Sequence, residues 1–362
     1  MAMGIREVVR LPIRNTVHVE LTNLCNFDCG FCTNHLMTRE RGMMDFDLFK
    51  KIINELSEEK ISKRVDFHVM GEPLLYDKLI PAIEYVHSKN LKVCVYTNGS
   101  LLSKGLSAEL SKLDFYMIVV SLQTPDIESF RVRRASIDFK KYTGQIVDFI
   151  KLMHASGSET RIRIAFLNTR LSRLVDVPCA VSGIDSKRKA LEILKPWIET
   201  VYSIEGFPYD GTELDKALEK ITLHRPLLIE VGQGRYSLDL PLLCDWGNAF
   251  STSKIYPSRI GACFAIRELF GILWNGDLVL CCADFNGHTK MGNVASSSIM
   301  DILNSKRVLE IVQGFKRYRV VHPHCQKCLG GRSRAESLFR SIVSIAFVNF
   351  MRRNNVIRIP GP

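Results

Sequence analysis

The sequence predicts an α/β protein built on a parallel sheet. Three observations carry that reading. Strand-like and helical runs alternate about six times between residues 16 and 205, the pattern of consecutive β/α units. The run at residues 115–122 is almost continuously apolar, as a strand buried on both faces requires. Polar residues and glycines recur just past the strand-like runs, where sheets of this class place their ligands. Parallel strands joined this way take right-handed crossovers.

Residues 16–21 (TVHVEL) alternate apolar and polar side chains and stop just before the first cysteines. Residues 45–56 set Phe46, Phe49, Ile52, Ile53 and Leu56 at helical spacing. Residues 65–69 read as a strand and 79–87 as a helix. Residues 92–96 form a strand that runs into Thr97-Asn98-Gly99. A helix at 103–113, the strand at 115–122, a helix at 139–154 and a strand at 161–167 follow. Residues 191–200 read as a helix leading into a sixth strand at 201–205. The Cys25 loop, Gly71-Glu72-Pro73, Thr97-Asn98-Gly99, Ser121, Gln123, Asn168 and Glu205 then share one rim.

The rhythm stops at residues 207–240, where Pro208, Gly211, Pro226, Gly232 and Gly234 mark irregular connections. Farther on, apolar runs at 269–274 and 278–281 flank Asn275-Gly276-Asp277, a hairpin signal. The expected organisation is an N-terminal extension (1–14), an α/β domain (15–206), a linker (207–245), a small cysteine-bearing domain (246–335), and a C-terminal helix and tail (336–362). Residues 342–351 are apolar but too short to cross a bilayer, and Arg352 and Arg353 follow them. They read as a terminal helix covering its own core, with membrane-surface or partner docking as the alternative.

With 46% hydrophobic and 24% charged residues, disorder, collagen and coiled coil are excluded as overall descriptions. A chain of 362 residues buries a sizeable core without disulfides. The net charge of +11 is spread along the sequence, so nucleic acid is not the expected partner. The 11 cysteines are odd in number, and residues 1–14 lack the apolar stretch and cleavage site of a signal peptide. A cytoplasmic location is therefore expected, and clustered cysteines there point to metal or redox chemistry.

Cys25, Cys29 and Cys32 read CxxxCxxC directly after the first strand. Three thiolates within one short loop can wrap a single inorganic centre. Zinc normally takes four ligands, and only His35 lies nearby as a further candidate. Three ligands to a 4Fe–4S cube leave one iron open. Asp28 and Gly30 keep the loop polar and permissive, and Phe31 is placed to shield the centre or stack on a base.

This pattern resembles the radical S-adenosylmethionine (SAM) superfamily. Gly71-Glu72-Pro73 resembles that family's GGEP motif, with Met70 in place of its first glycine, and Tyr96-Thr97-Asn98-Gly99 resembles its TNG strand end. The resemblance implies a partial (β/α)6 TIM-like barrel. It implies a cluster on Cys25, Cys29 and Cys32 whose free iron chelates SAM, and cleavage of SAM to a 5′-deoxyadenosyl radical by one electron. Phe31, Gly71, Glu72, Pro73, Thr97, Asn98, Ser121 and Asn168 become its cofactor-binding residues. The one-electron donor it implies is a flavodoxin or ferredoxin type of protein.

Cys263 and Cys281 bracket the predicted hairpin, and Cys325 and Cys328 form a CxxC. Four thiolates suit zinc or an iron–sulfur cube equally on ligand count. The stretch from Gly261 through Cys281-Cys282-Ala283-Asp284 to Gly292-Asn293 resembles the SPASM/twitch extension of radical SAM enzymes. No cysteine follows Cys328, so the shorter twitch form with one auxiliary 4Fe–4S cluster is implied, a hairpin plus helix domain. The resemblance covers roughly residues 15–335. Of the remaining cysteines, Cys94 reads as core, Cys179 has no assigned role, and Cys244 and Cys282 are spare ligands, inert thiols or a hydrogen donor to a substrate radical.

An auxiliary cluster suits oxidation, because a carbinol radical that loses a proton and an electron becomes a ketone. The resemblance points to dehydrogenation, epimerisation or dehydration of a small sugar-like or aminocyclitol-like substrate. Peptide maturation and RNA modification are the alternatives, and a zinc scaffold is the non-enzymatic one. The first cysteine stands at residue 25, which leaves no room ahead of the barrel for a leader-peptide domain and favours the small molecule. Glu205, Tyr209, Asp210 and Asp284 are candidate substrate contacts, with Glu205 and Asp284 as candidate general bases. Arg131, Arg133 and Arg134 stand where they can hold a carboxylate, or simply start a solvated helix after Thr124-Pro125.

Overall fold

Five of the expected strands pair in parallel and in chain order: β1 (Val17–Val19), β2 (Arg64–Phe67), β3 (Lys92–Thr97), β4 (Met117–Gln123) and β5 (Arg161–Phe166). This computed structural model describes residues 16–178, 181–206, 211–231, 234–265, 268–351 and 355–359. Residues 1–14, Cys179, Tyr209 and Asp210 lie outside them.

The helices covering the sheet are α1 (Phe46–Glu58), α2 (Leu79–Ser88), α3 (Lys104–Leu110), α4 (Ile127–Phe130), α5 (Phe139–Ala155) and α6 (Lys187–Glu205). Each long one buries one stripe. In α1 the stripe is Phe49, Ile52, Ile53 and Leu56, and the Asp45 side chain caps the helix by accepting from the backbone N–H groups of Asp47 and Leu48. In α5 it is Tyr142, Ile146, Phe149, Ile150 and Met153.

Two expectations fail around residue 200. Residues 201–205 are not a strand: they are the last turn of α6, ending at Gly206 in the left-handed conformation. The buried stripe Ala190, Leu194, Ile198, Val201 and Tyr202 keeps helical spacing through that end. Residues 207–245 are not a linker either. After α7 (Gly211–Leu218), strands β6 (Leu227–Val231) and β7 (Tyr236–Leu240) form an antiparallel hairpin. β7 pairs in parallel with β5 and so becomes the sixth barrel strand. Gly234, read as loop punctuation, lies in the turn of this hairpin at φ +81°, and Gly232 lies outside the described residues.

The expected C-terminal hairpin is β8 (Gly271–Ile272) and β9 (Asp277–Val279), joined by β10 (Gly292–Asn293). β8 also pairs in parallel with β1, so the small domain continues the barrel sheet. Glu20, past β1, is fully buried, forms a two-pronged ion pair with Arg39 and accepts from the Trp274 N–H. This ties the hairpin to the barrel. The helices α8 (Ile299–Leu303), α9 (Lys306–Lys316), α10 (Pro323–Cys328) and α11 (Arg334–Ala346) follow, and β11 (Asn355–Ile359) pairs with β6. Among the described residues the sheet runs β10-β9-β8-β1-β2-β3-β4-β5-β7-β6-β11, an unclosed barrel.

α11 does not cover its own core with its large apolar face. It packs through Ser337, Ser341 and Ser344, with the Ser341 hydroxyl against Ser258 and the Ser344 hydroxyl accepting from the Ala262 N–H. Leu338 and Phe339 are 58% and 64% exposed. No described helix is long and apolar enough to cross a membrane.

Candidate active site and second cysteine centre

The loop after β1 carries Cys25, Cys29 and Cys32 over the carboxyl ends of the strands. It is pinned from two sides. The N–H groups of Asp28 and Gly30 donate to the carbonyls of Arg133 and Val132, and the Asn98 side chain donates to Asn26, which donates to Ser100. The Asn98 amide also lies 3.9 Å from Cys25 Sγ. Burial pushes the Cys25 thiol up to about 11 and the Cys32 thiol to about 12. Without a metal these sulfurs stay protonated, and a metal that deprotonates them settles that cost.

Gly71 lies within the second element of the site. At φ +79°, a Cβ there would sit 2.3 Å from the Thr22 carbonyl and 2.7 Å from that of Leu24, so only glycine fits against the cysteine loop. Glu72 follows, buried beside the loop. Its Oε1 accepts from the Thr97 hydroxyl (2.6 Å) and the Leu74 N–H (3.1 Å), and its Oε2 from the Asn98 N–H (2.6 Å). Burial still raises its carboxyl from 4.5 to about 7.

Arg133 is the residue whose importance the sequence understated. It is only 2% exposed. Its Nη1 donates to the carbonyls of Ser121 (2.6 Å) and Leu122 (2.5 Å), its guanidinium lies 4.7 Å from the Phe27 ring centre, and its Nε has no partner. The ionisable groups that act on it are Tyr142, Cys29 and Cys25. A buried cation facing thiols requires negative charge there. Thiolates on a cluster and a ligand carboxylate supply it, so these residues fit an iron–sulfur centre with SAM beside it. Arg131 and Arg134 stay on the surface, paired with Glu128 and Asp28.

A cavity of about 280 Å³ opens beside the three cysteines. Phe31, Gly71, Glu72, Thr97, Asn98 and Ser121 line it as expected, and so do Arg133, Cys244 and Trp246. Asn168 does not. Its side chain donates to the Leu223 carbonyl and accepts from the Arg170 N–H, holding the crossover after β5. Pro73 starts a short 3-10 turn instead of facing the cavity. Neither Glu205 nor Asp284 lines it. Glu205 ends α6. Asp284 is fully buried: its carboxylate accepts from the N–H groups of His288 and Thr289 and from the Thr289 hydroxyl, which shapes the turn after Cys281. Neither carboxylate therefore reaches the cavity beside the three cysteines.

Cys263, Cys281, Cys325 and Cys328 share one neighbourhood, and burial together with the other thiols drives Cys281 well above its ordinary range. Cys325 and Cys328 sit on α10, Cys281 just past β9. Cys282 lies close by, with Cys244 and Cys263 acting on it. The segment 245–248, which spans the expected boundary between the linker and the small domain, clamps this centre. A Cβ on Gly247 would meet Cys328 Sγ at 2.7 Å. Asn248 donates to the carbonyls of Lys327 and Gly330, while Arg340 bridges Asn248 and Asp245. One residue earlier, Trp246 Nε1 donates to the Phe31 carbonyl at 3.2 Å. The segment therefore links the two cysteine centres.

Comparison with known proteins agrees with this arrangement. The radical SAM superfamily profile matches residues 19–170, and the SPASM iron–sulfur cluster-binding domain matches residues 263–329. The tungsten-containing aldehyde ferredoxin oxidoreductase cofactor-modifying protein of Pyrococcus furiosus is 22% identical over 332 residues, 86% of each chain. The S-adenosyl-L-methionine-dependent 2-deoxy-scyllo-inosamine dehydrogenase of Niallia circulans is 31% identical over 120 residues, 32% of this chain and 47% of that enzyme. The fold is shared with Streptococcus suis SuiB bound to S-adenosylmethionine, at 18% identity and a TM-score of 0.54, over 84% of this chain and 68% of that one. A radical SAM domain with its three-cysteine loop, continued by a SPASM domain with its four-cysteine centre, makes the chain a member of the radical SAM superfamily, with SAM and two 4Fe–4S clusters as its cofactors.

Proposed function

We propose that this enzyme abstracts hydrogen from a small polar substrate and that its second cluster takes up or relays an electron, giving net dehydrogenation. Cys25, Cys29 and Cys32 would hold the first cluster, and Cys263, Cys281, Cys325 and Cys328 the second. When bound, the first cluster and SAM supply a 5′-deoxyadenosyl radical. The observation that carries the reading is the link through residues 244–248, whose Cys244 and Trp246 line the cavity while Gly247 packs on Cys328. A substrate radical in that cavity would have its acceptor on the far side of this one short segment.

In this reading Glu72 and the Thr97-Asn98 strand end hold the amino end of SAM, and Arg133 its carboxylate. Replacing Arg133 by Met should weaken SAM binding by roughly 30-fold or more, the cost of leaving one member of a buried charge pair alone. Calorimetry on reconstituted protein measures it. Glu72 gives a second check. Folded, its carboxyl holds the proton up to about pH 7, and unfolded it releases it near 4.5. The folded state therefore loses stability as the pH rises through that window, on the order of 3 kcal/mol from this group. Denaturation of the iron-free chain at pH 5 and 7.5 should show that slope, and Glu72→Gln should flatten it.

Products in deuterium oxide separate the possible outcomes. A loss of two mass units supports dehydrogenation. Solvent deuterium at the altered carbon supports epimerisation, with the exposed Cys244 thiol as the hydrogen donor. A second reading, maturation of a protein or its cofactor, has one observation behind it: the cofactor-modifying relative matches along 86% of both chains. Conversion of a protein-bound substrate in place of any free small molecule would favour it. An electron donor of flavodoxin or ferredoxin type belongs to either reading.

A further inference from the structure

Three polar side chains on adjoining strands remain after the cofactor contacts are assigned. His68 follows β2, Tyr96 lies on β3 and Gln123 ends β4, and all three line the cavity beside the cysteines. His68 Nδ1 accepts a hydrogen bond from the Val69 N–H at 2.7 Å. That nitrogen therefore carries the lone pair, which assigns the ring proton to Nε2. Burial and the neighbouring His18 hold the ring neutral, at about 3. The Tyr96 ring meets His68 edge-on at 4.3 Å and fixes its plane. Among the described residues, nothing bonds to His68 Nε2, the Tyr96 hydroxyl or the Gln123 side-chain amide.

The backbone under these groups is strained. Val69, a β-branched residue, sits at φ +121°, and Gln123 at φ +60° where the β4–β5 register shifts. Strain of this kind persists where the surroundings hold a side chain in place. Beneath the wall, His18 Nδ1 is buried without a partner. The charged residues deeper in the barrel are already paired, Arg64 with Asp66 and Arg163 with Asp239. The wall thus presents donors and acceptors but no free charge.

We propose that His68, Tyr96 and Gln123 form the substrate-recognition wall, and that it takes an uncharged oxygen-bearing group, a hydroxyl or carbonyl, in preference to an ammonium or a carboxylate. This rests on the reading that a small polar substrate enters beside bound SAM. The Nε2–H of His68 and the Tyr96 hydroxyl donate to that oxygen, and the Gln123 amide answers a neighbouring hydroxyl. A charged group would meet no counter-ion there and would lose its hydration.

Binding is tested by calorimetry on reconstituted protein saturated with SAM, using scyllo-inositol as the neutral polyol, glucosamine as the cation and glucuronate as the anion. The proposal expects scyllo-inositol to bind tightest. His68→Leu should weaken it roughly tenfold or more, and Tyr96→Phe several-fold, as for lost buried hydrogen bonds. His68→Gln, which restores an N–H, should recover much of the loss, which a packing role would not predict. The concentration giving half-maximal stimulation of 5′-deoxyadenosine release should follow the same order. Tighter binding of either charged compound, absence of binding by the neutral one, or an affinity unmoved by His68→Leu overturns the proposal. A chain that neither binds nor cleaves SAM alone defeats the underlying reading instead.

Discussion

Reconstituted Cys29→Ala should release no detectable 5′-deoxyadenosine and should carry about four iron atoms per chain in place of about eight, one cube of the two. Cys29 is the most buried of the three cysteines proposed to hold the first cluster, at the centre of a loop fastened by backbone bonds from Asp28 and Gly30 to the turn before Arg134. No neighbour can replace it. His35 is stacked on Phe250, and Asn34 is taken up by Arg41. Cys29→Ser should behave the same way, because a hydroxyl does not ionise as a thiolate does. A second consequence follows from Arg133. Its buried guanidinium depends on negative charge at Cys29 and Cys25. Losing the cluster leaves that cation alone, so Cys29→Ala should also lose stability relative to the loaded wild type, by several kcal/mol. Paired with Arg133→Met, part of this loss should be recovered. Iron analysis, product chromatography and thermal melts read the three effects. Full-speed deoxyadenosine release by Cys29→Ala would overturn the site.

The cysteine spacings, Gly71-Glu72-Pro73 and the Thr97-Asn98-Gly99 strand end were legible because each performs local chemistry that few other residues perform. Gly71 is the clearest case, since any side chain would strike the Thr22 carbonyl. The sixth strand was not legible. Val201 to Glu205 has β-branched and aromatic residues, yet its burial continues the stripe of α6. The true strand, Tyr236–Leu240, hid behind Gly234, which turns a hairpin but reads as loop. Propensity lost to tertiary context in both places. Arg133 stood next to Arg134 and two residues from Arg131, both on the surface, and nothing in these three arginines says which one the chain buries. Asp284 looked free beside Cys281, while its role is spent on backbone N–H groups four and five residues ahead. Which backbone groups a buried side chain will take up leaves no mark on sequence spacing.

Gly247→Val should separate the two centres. The residue sits at φ +68°, where a β-branched side chain is strained, and any Cβ there presses on the Cys328 sulfur and Cβ at 2.7 and 3.0 Å. The sulfur cannot yield, because α10 is held from the other side by Asn248 on the carbonyls of Lys327 and Gly330. In the proposed ligand set, displacing Cys328 removes one ligand from the second cluster, so iron should fall to about four per chain while the first centre keeps its own three cysteines. From the segment carrying Gly247, the hydrogen bond to the first loop is that of Trp246 to the Phe31 carbonyl, worth only about 1 kcal/mol, while the β8–β1 pairing and the Glu20–Trp274 contact hold the barrel side independently of Cys328. SAM cleavage should therefore persist within a few-fold of wild type while formation of oxidised product drops sharply. Deoxyadenosine would accumulate without matching product. Cys328→Ala should reproduce the split without touching the backbone. If both variants keep product and deoxyadenosine in step, the second cluster has no part in the electron's route. If both lose SAM cleavage as well, segment 244–248 joins the centres into one cooperative unit, and the hydrogen bond at Trp246 is not the only path of damage.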